Sequence, residues 1–392
     1  MAVRKRIWTT RKGEEREAWV VDYTDHAGKR CFETFDRKGD ADSRAAKIKV
    51  ELGKGTHVAL DSKTTIADIA ETWIRRLEAE GRERSTLVSY RQQLRMHILP
   101  HLGRIKIAKL TPERLEHYRD LYLLGKDDNG RETMSRAMAR KVLVSLKSLL
   151  KSARCGHLAE GIRISLDARG KRKLEIGRDV PENAEIMRLF AATAGHPKKR
   201  ALLLTAALTG LRASELRGLR WYDVDLKAGE LHVRQRADAW GAIGSPKSKT
   251  SRRTVPLDPV LLIPALKEWK LACPKSELDL VFPTRTGAVE YHMNVTRSLE
   301  SIMRAAGVVH RNGKPKYGLH AFRHYFASWC ISPKERGGRE LPPKVVQEWL
   351  GHSTIAMTLD VYGHLFKEVD TSELAKSVER LFGLSPPDVA HL

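Results

Sequence analysis

The chain has 392 residues, 41% of them hydrophobic, with a formal net charge of +23 at pH 7 and a pI of about 9.9. Its length implies two or three domains, and its composition excludes a disordered or disulfide-stapled chain, the four cysteines being far apart with no C-x-x-C pair. A soluble protein this basic takes a polyanionic partner, nucleic acid first. The excess is spread evenly: 14 − 10 = +4 for residues 1–60, 25 − 15 = +10 for 61–177 and 32 − 23 = +9 for 178–392. Such spreading suits modules that all touch one polyanion.

In chain order, Met1 to Arg6 lacks the apolar stretch of a signal peptide. The most apolar run, Ala201 to Leu211, is too short to span a bilayer. The expectation is a cytoplasmic protein at nucleoid DNA, without membrane association. Residues 1–60 form a small β-rich module: Ala18–Tyr23 reads as a strand, Asp25–Gly28 as a turn, and Lys29–Phe35 as a weakly alternating strand. A helix over Asp40–Leu52 ends at Gly53.

Residues 63–166 read as a four-helix, strongly basic domain. Ile66, Ile69, Ala70, Trp73, Ile74 and Leu77 keep helical period. Ser85 is the expected cap of a second helix carrying Leu87, Tyr90, Leu94 and Ile98 and stopped by Pro100. Thr111-Pro112 opens a third, and Ser135 to Ala153 is a fourth. Arg82, Arg84, Arg91, Arg95, Arg136, Arg140, Lys141 and Lys147 populate the polar faces, as phosphate contacts would require. Residues 167–180 read as a basic linker. A mixed, mainly helical domain with a small β-sheet follows over 178–385. Its helices are expected at Pro181–Ala194 and Lys198–Thr209, and again from about Pro259, Val295, Ala321, Lys344 and Thr371. The fold class is therefore multidomain and mainly α.

Four stretches of this last domain carry chemistry. In Thr209-Gly210-Leu211-Arg212-Ala213-Ser214-Glu215-Leu216, Gly210 ends one helix and Arg212 stands at the mouth of the next. Glu215, three residues on, faces Arg212 and can hold its guanidinium, whose planar fork suits two phosphate oxygens. Pro246–Leu257 is a hairpin-like basic stretch whose tip, with Lys247, Lys249, Arg252 and Arg253, can reach into a groove. His320 and Arg323 pair a proton-transfer group with a second phosphate clamp on one helix face. Gly351 breaks a helix and presents His352, and Tyr362 lies ten residues later.

Together and in this order, these motifs resemble the tyrosine recombinase (phage integrase) family: Arg, hairpin Lys, H-x-x-R, L-G-H and Tyr. The resemblance covers about 180–370. The helical region is similar to the family's core-binding domain, and residues 1–60 to its small N-terminal arm-type DNA-binding modules. The resemblance implies a site-specific DNA recombinase serving integration or excision of a prophage or other mobile element. In it Arg212 and Arg323 clamp the scissile phosphate, and Tyr362 attacks to give a 3′-phosphotyrosyl link and a free 5′-hydroxyl. The covalent bond stores the phosphodiester energy, so neither a metal nor another cofactor is implied. His320 is then the base, Lys249 the acid for the leaving oxygen, His352 a phosphate donor and Glu215 the support of Arg212. Both Lys247 and Lys249 lie on the hairpin; Ser248-Lys249-Thr250 and its spacing to Val255-Pro256 favour Lys249. His324 and His364 read as structural or phosphate-side neighbours, Tyr317 and Tyr325 as packing residues. Ala321-Phe322 and the long Pro333–Pro343 loop depart from family form without removing a reactive group. The implied partners are double-stranded attachment sites, a homotetramer on DNA and accessory bending or directionality proteins. A helix over Thr371–Leu381 and the tail to Leu392 could pack in cis or in trans.

Overall fold

The computed structural model describes residues 1–10, 13–25, 28–54, 63–126, 130–165, 174–246 and 248–366. The predicted C-terminal helix at Thr371, the tail, residues 26 and 27 of the predicted turn, and residues 167–173 of the predicted basic linker lie outside them. The chain divides into two compact units between residues 170 and 171, within that linker.

The first unit begins with a three-stranded antiparallel sheet in the order β1-β2-β3: β1 (Ala2–Thr9), β2 (Glu15–Thr24) and β3 (Arg30–Phe35). Helix α1 (Lys38–Gly53) follows. Val21, Tyr23, Cys31, Ala41 and Ile48 form a small core of their own. Glu33 is tolerated beside it because Tyr23 donates to it and the Arg44 guanidinium grips both its oxygens. Strand β1 has no counterpart among the sequence expectations. Its residues are almost all exposed, with Arg4, Lys5 and Arg6 at its middle, so no alternation of buried and exposed positions marks it, and it is held by pairing with β2 from Ala2↔Asp22 to Thr9↔Glu15.

Next come α2 (Ile66–Ala79), α3 (Arg84–Gln93), α4 (Leu99–Leu102), α5 (Pro112–Tyr118) and α6 (Arg136–Ser152). Thr65 and Asp68 close a reciprocal capping box at α2, and the Thr111 and Ser135 hydroxyls accept from the third residue of α5 and α6. The predicted stop at Pro100 is corrected. The chain widens into a π-helix at Leu94–Ile98, where the Leu99 N–H reaches Leu94, and α4 resumes with Pro100 in its first turn. The wider register removes the clash between the proline ring and the preceding turn. Ser85 does not cap α3, which starts one residue earlier; its hydroxyl donates to Glu83. Apolar faces of these helices share one core that includes Trp73, Ile98, Tyr118 and Leu146. Outside it, Arg82, Arg84, Arg91, Arg95, Arg140 and Lys141 are exposed, with Arg136 and Lys147 half-buried.

The second unit contains α7 (Asn183–Ala191), α8 (Pro197–Thr209), α9 (Ala213–Arg217), α10 (Leu262–Ala272), α11 (His292–Ala305), α12 (Leu319–Ile331), α13 (Pro343–Leu350) and α14 (Ile355–Tyr362). The apolar run noted in the sequence is the buried half of α8, closed on every side from Ala201 to Thr209. No described helix is long and apolar enough to cross a membrane. Strands β4 (Val224–Asp225), β5 (Glu230–Val233) and β8 (Arg253–Pro256) form an antiparallel sheet, with Leu231 opposite Val255 and Val233 opposite Arg253. The loop between β5 and β8 carries a short ribbon of its own, β6 (Arg236–Ala237) with β7 (Ile243–Gly244), and a 3-10 turn at Lys249–Ser251.

Candidate active site

The sequence places Arg212, Arg253, Arg323 and Leu350-Gly351 far apart; the fold gathers them at the C-terminal end of α13. Gly351 adopts a left-handed φ of 64° there and leaves the last carbonyls of the helix without intrahelical partners. Three successive carbonyls are each capped by a different arginine. Arg253 Nε donates to Trp349 O at 2.5 Å, Arg323 Nη2 to Leu350 O at 2.6 Å, and Arg212 Nη2 to Gly351 O at 2.8 Å. Cations suit the negative end of a helix dipole, so the Leu-Gly-His box fixes guanidinium groups as well as presenting a histidine.

Arg323 is 3% exposed, and its Nη1 donates to Gly210 O. That carbonyl is available because α8 ends on Gly210 at φ 61°, where a Cβ would stand 2.4 Å from Phe326. Burial first, then the Arg212 and Arg253 cations, pulls the Arg323 guanidinium down to about 9, still charged at neutral pH. Arg212 caps α9 as expected. Its backbone N–H donates to Glu215 Oε2 at 2.9 Å and its Nη1 to Oε1 at 2.7 Å. Its side chain is about one-third exposed, facing a cleft lined by Ser214, Arg236, Ser248, Ser251 and Ser353.

Glu215 supports more than Arg212. Arg253 grips both carboxylate oxygens, Nη2 to Oε2 at 2.8 Å and Nη1 to Oε1 at 3.1 Å, with both side chains almost fully buried. The sequence places Arg253 in a basic stretch that could reach into a groove; in the fold it is a buried member of the site. A two-residue strand period was the available signal, since it puts position 253 on the inward face with Val255. Burial alone would raise the Glu215 carboxyl; the Arg253 fork and the Arg212 charge and N–H outweigh it and hold it at about 2. Removing one partner of a buried pair strands the other charge, at a cost of roughly 3–5 kcal/mol. Arg253→Met is therefore expected to lower unfolding free energy on that scale in urea titrations, with part of the loss recovered in the double variant with Glu215→Gln.

His352 follows Gly351 directly. Its Nδ1 lies 2.8 Å from the hydroxyl of the fully buried Thr358, and Gln347 brackets its backbone. Burial, then the three nearby arginines, brings its pKa down to about 4, so the ring is neutral at neutral pH. Tyr362 ends α14 and is 2% exposed, packed with Val255, Phe326 and Leu350. Burial holds its hydroxyl well above the ordinary tyrosine range.

The partner of that hydroxyl is His324, with Nδ1 2.5 Å from Tyr362 Oη. His320, expected as the base, is exposed at the start of α12, its ring edge-on to His324 at 4.6 Å between centroids. His364 contacts the Leu174 carbonyl, and Tyr317 and Tyr325 are buried donors to Glu185 and Asn183, in keeping with structural roles. Lys247 lies outside the described residues. Lys249 begins the 3-10 turn before β8, and its side chain lies outside them too. No group of three or more His, Cys, Asp or Glu placed to hold a metal occurs among the described residues.

These groups also set an acid response. His324 and His352 have folded pKa values near 4 against an ordinary 6.5, so the unfolded chain binds more protons between those limits. Glu215 adds the same sign between about 4.5 and about 2. Denaturant titrations from pH 7 to 3 are expected to show stability falling from about pH 6.5 downward, and Glu215→Gln to flatten only the limb below about 4.5.

The geometry has counterparts among known proteins. A sequence model described as the phage integrase family matches residues 181–368, and one described as the phage integrase N-terminal SAM-like domain matches 65–121. A tyrosine recombinase XerC-like protein of Caldanaerobacter subterraneus subsp. tengcongensis is 28% identical over 384 residues, covering 89% of this chain and 92% of that protein. The prophage integrase IntR of Escherichia coli is 26% identical over 349 residues, covering 81% and 80%. In fold, the chain is similar to a lambda integrase dimer bound to a COC′ core site, with a TM-score of 0.55, 18% identity, and 93% and 97% coverage. It is likewise similar to the Tn1549 transposon integrase in complex with circular intermediate DNA, with a TM-score of 0.58, 19% identity, and 80% and 99% coverage. The chain belongs to the phage integrase family, and its activity is that of a tyrosine-type site-specific DNA recombinase.

Proposed function

We propose that the chain integrates and excises a mobile element by transferring DNA strands through Tyr362. The observation that carries this reading is the capping of consecutive carbonyls by Arg323 and Arg212, which brings two guanidinium groups to one place before DNA arrives. Such preorganised donors can meet the charge that grows on the non-bridging oxygens of a phosphodiester during attack. His352 is neutral and anchored through Nδ1 to Thr358, which leaves Nε2 as a further donor. Tyr362 Oη bonds to phosphorus, the bond from phosphorus to the 5′-oxygen breaks, and Lys249 supplies that oxygen with its proton. The second strand, or the original one, reverses the step. Glu215 and Arg253 fix Arg212 without touching DNA.

The exposed arginines and lysines of the helical domain and the basic strand β1 supply phosphate contacts, so binding should weaken steeply with salt. Recombination joins two sites, and the active form is a tetramer on paired attachment sites; a lambda integrase tetramer bound to a Holliday junction has a similar fold, with a TM-score of 0.53. Digestion and mass spectrometry of the adduct trapped on a nicked substrate test the assignment. A nucleotide mass on the Tyr362 peptide supports it; one on any other tyrosine removes it.

A further inference from the structure

The hydroxyl of Tyr362 is shielded from solvent, and its nearest base is not the histidine that the order of motifs singles out. We infer that His324 is catalytic: its Nδ1 takes the proton from Tyr362 as that oxygen attacks phosphorus. This rests on Tyr362 being the nucleophile, and it adds the group that activates it.

Three observations carry the assignment. Nδ1 is already at hydrogen-bond distance from Oη, 2.5 Å, whereas His320 contacts the edge of the His324 ring and lies at the exposed start of α12. His324 directly follows Arg323, and His320, Arg323 and His324 stand at i, i+3 and i+4 of one helix, so the base and a phosphate clamp share one rigid face. Finally, the ring is neutral at neutral pH, because burial and the adjacent His320 and Arg323 oppose its protonation. With its own proton on Nε2, it presents the Nδ1 lone pair to the hydroxyl. The groups facing it are His320 and Arg323 on α12, Tyr362 from α14 and Asp179 from the segment before α7. Asp179 favours the cation, and so does a phosphodiester anion docking on Arg212 and Arg323, so DNA binding raises the basicity of His324 when it is needed.

The step balances. The O–H bond of Tyr362 breaks and its proton goes to Nδ1, giving an imidazolium. The new bond is Oη to phosphorus, and the 5′-oxygen leaves with the proton from Lys249. In religation the imidazolium returns its proton to the departing tyrosine.

The test is single-turnover adduct formation on a nicked substrate, from pH 6 to 10, with the full-length chain. His324→Asn puts an amide where Nδ1 stands, able to accept a hydrogen bond but not a proton. The expected result is native DNA binding with adduct formation slowed at least about 10²-fold at pH 7, the scale of general-base catalysis, and a defect that shrinks as pH approaches the ionisation of tyrosine itself. A 5′-phosphorothiolate substrate, whose leaving group needs no proton, should leave that defect in place. A rate within about threefold of native at pH 7, or full rescue by the phosphorothiolate, overturns the assignment. If His324→Asn does not bind DNA, His324→Gln is read by the same criteria. An adduct persisting in Tyr362→Phe would instead sink the nucleophile itself, so the two failures are distinguishable.

Discussion

Tyr362→Phe binds its DNA site with native affinity and forms no covalent adduct. Removing a nucleophile typically costs on the order of 10⁶ in rate, and the two tyrosines nearest the H-x-x-R motif are engaged elsewhere. Tyr317 and Tyr325 are buried on Glu185 and Asn183. The substitution removes one oxygen from a closely packed ring, so Val255, Phe326 and Leu350 keep their contacts. Its one structural cost is the hydrogen bond to His324, worth about 1 kcal/mol. The measurement is a denaturing gel of a nicked suicide substrate beside a binding titration. An adduct in the variant, or loss of binding, would contradict the assignment.

Arg323→Ala should show the second-largest effect, and it should be a double one. Cleavage falls by roughly 10³-fold or more, the scale on which a preorganised charge-stabilising donor acts. Stability falls as well. The guanidinium is 3% exposed and holds two backbone carbonyls, Gly210 O and Leu350 O, from two helix ends. Leaving both unpaired costs roughly 1–3 kcal/mol each. Arg212→Ala separates the two effects, because Arg212 is one-third exposed and Gly351 O lies at the mouth of the cleft. It should lose cleavage to a similar degree with a smaller drop in melting temperature. Near-normal cleavage by either variant would remove the clamp.

Much of the site is legible in the sequence. Gly210 and Gly351 announced helix ends, and both are left-handed caps. Helix period pairs Arg212 with Glu215 and His320 with Arg323; the second pair lies on α12, while Arg212 is the extended N-cap of α9 and meets Glu215 through a capping box. Two features were not legible. Arg253 looked like surface charge because its partner Glu215 is 38 residues away and only strand pairing turns it inward. His324 looked like a neighbour because its contact with Tyr362 crosses from α12 to α14. The same reasoning explains two differences in the first unit, the helix continuing through Pro100 and the presence of strand β1. A π-turn and a pairing partner are properties of surrounding backbone, which local propensity does not contain.

By itself the sequence determined which chemical groups the protein has and in what order: two arginines whose forks suit phosphate, a helix-ending glycine before a histidine, and a tyrosine ten residues beyond it. Residue type and short-range period suffice for that, since capping, helix faces and charge are local. Only the tertiary structure decided how those groups are wired. The end of α13 offers three free carbonyls to three arginines, and Tyr362 is shielded against His324. Long-range hydrogen bonds and burial fix which histidine meets Tyr362, and both depend on how helices distant in the chain pack together.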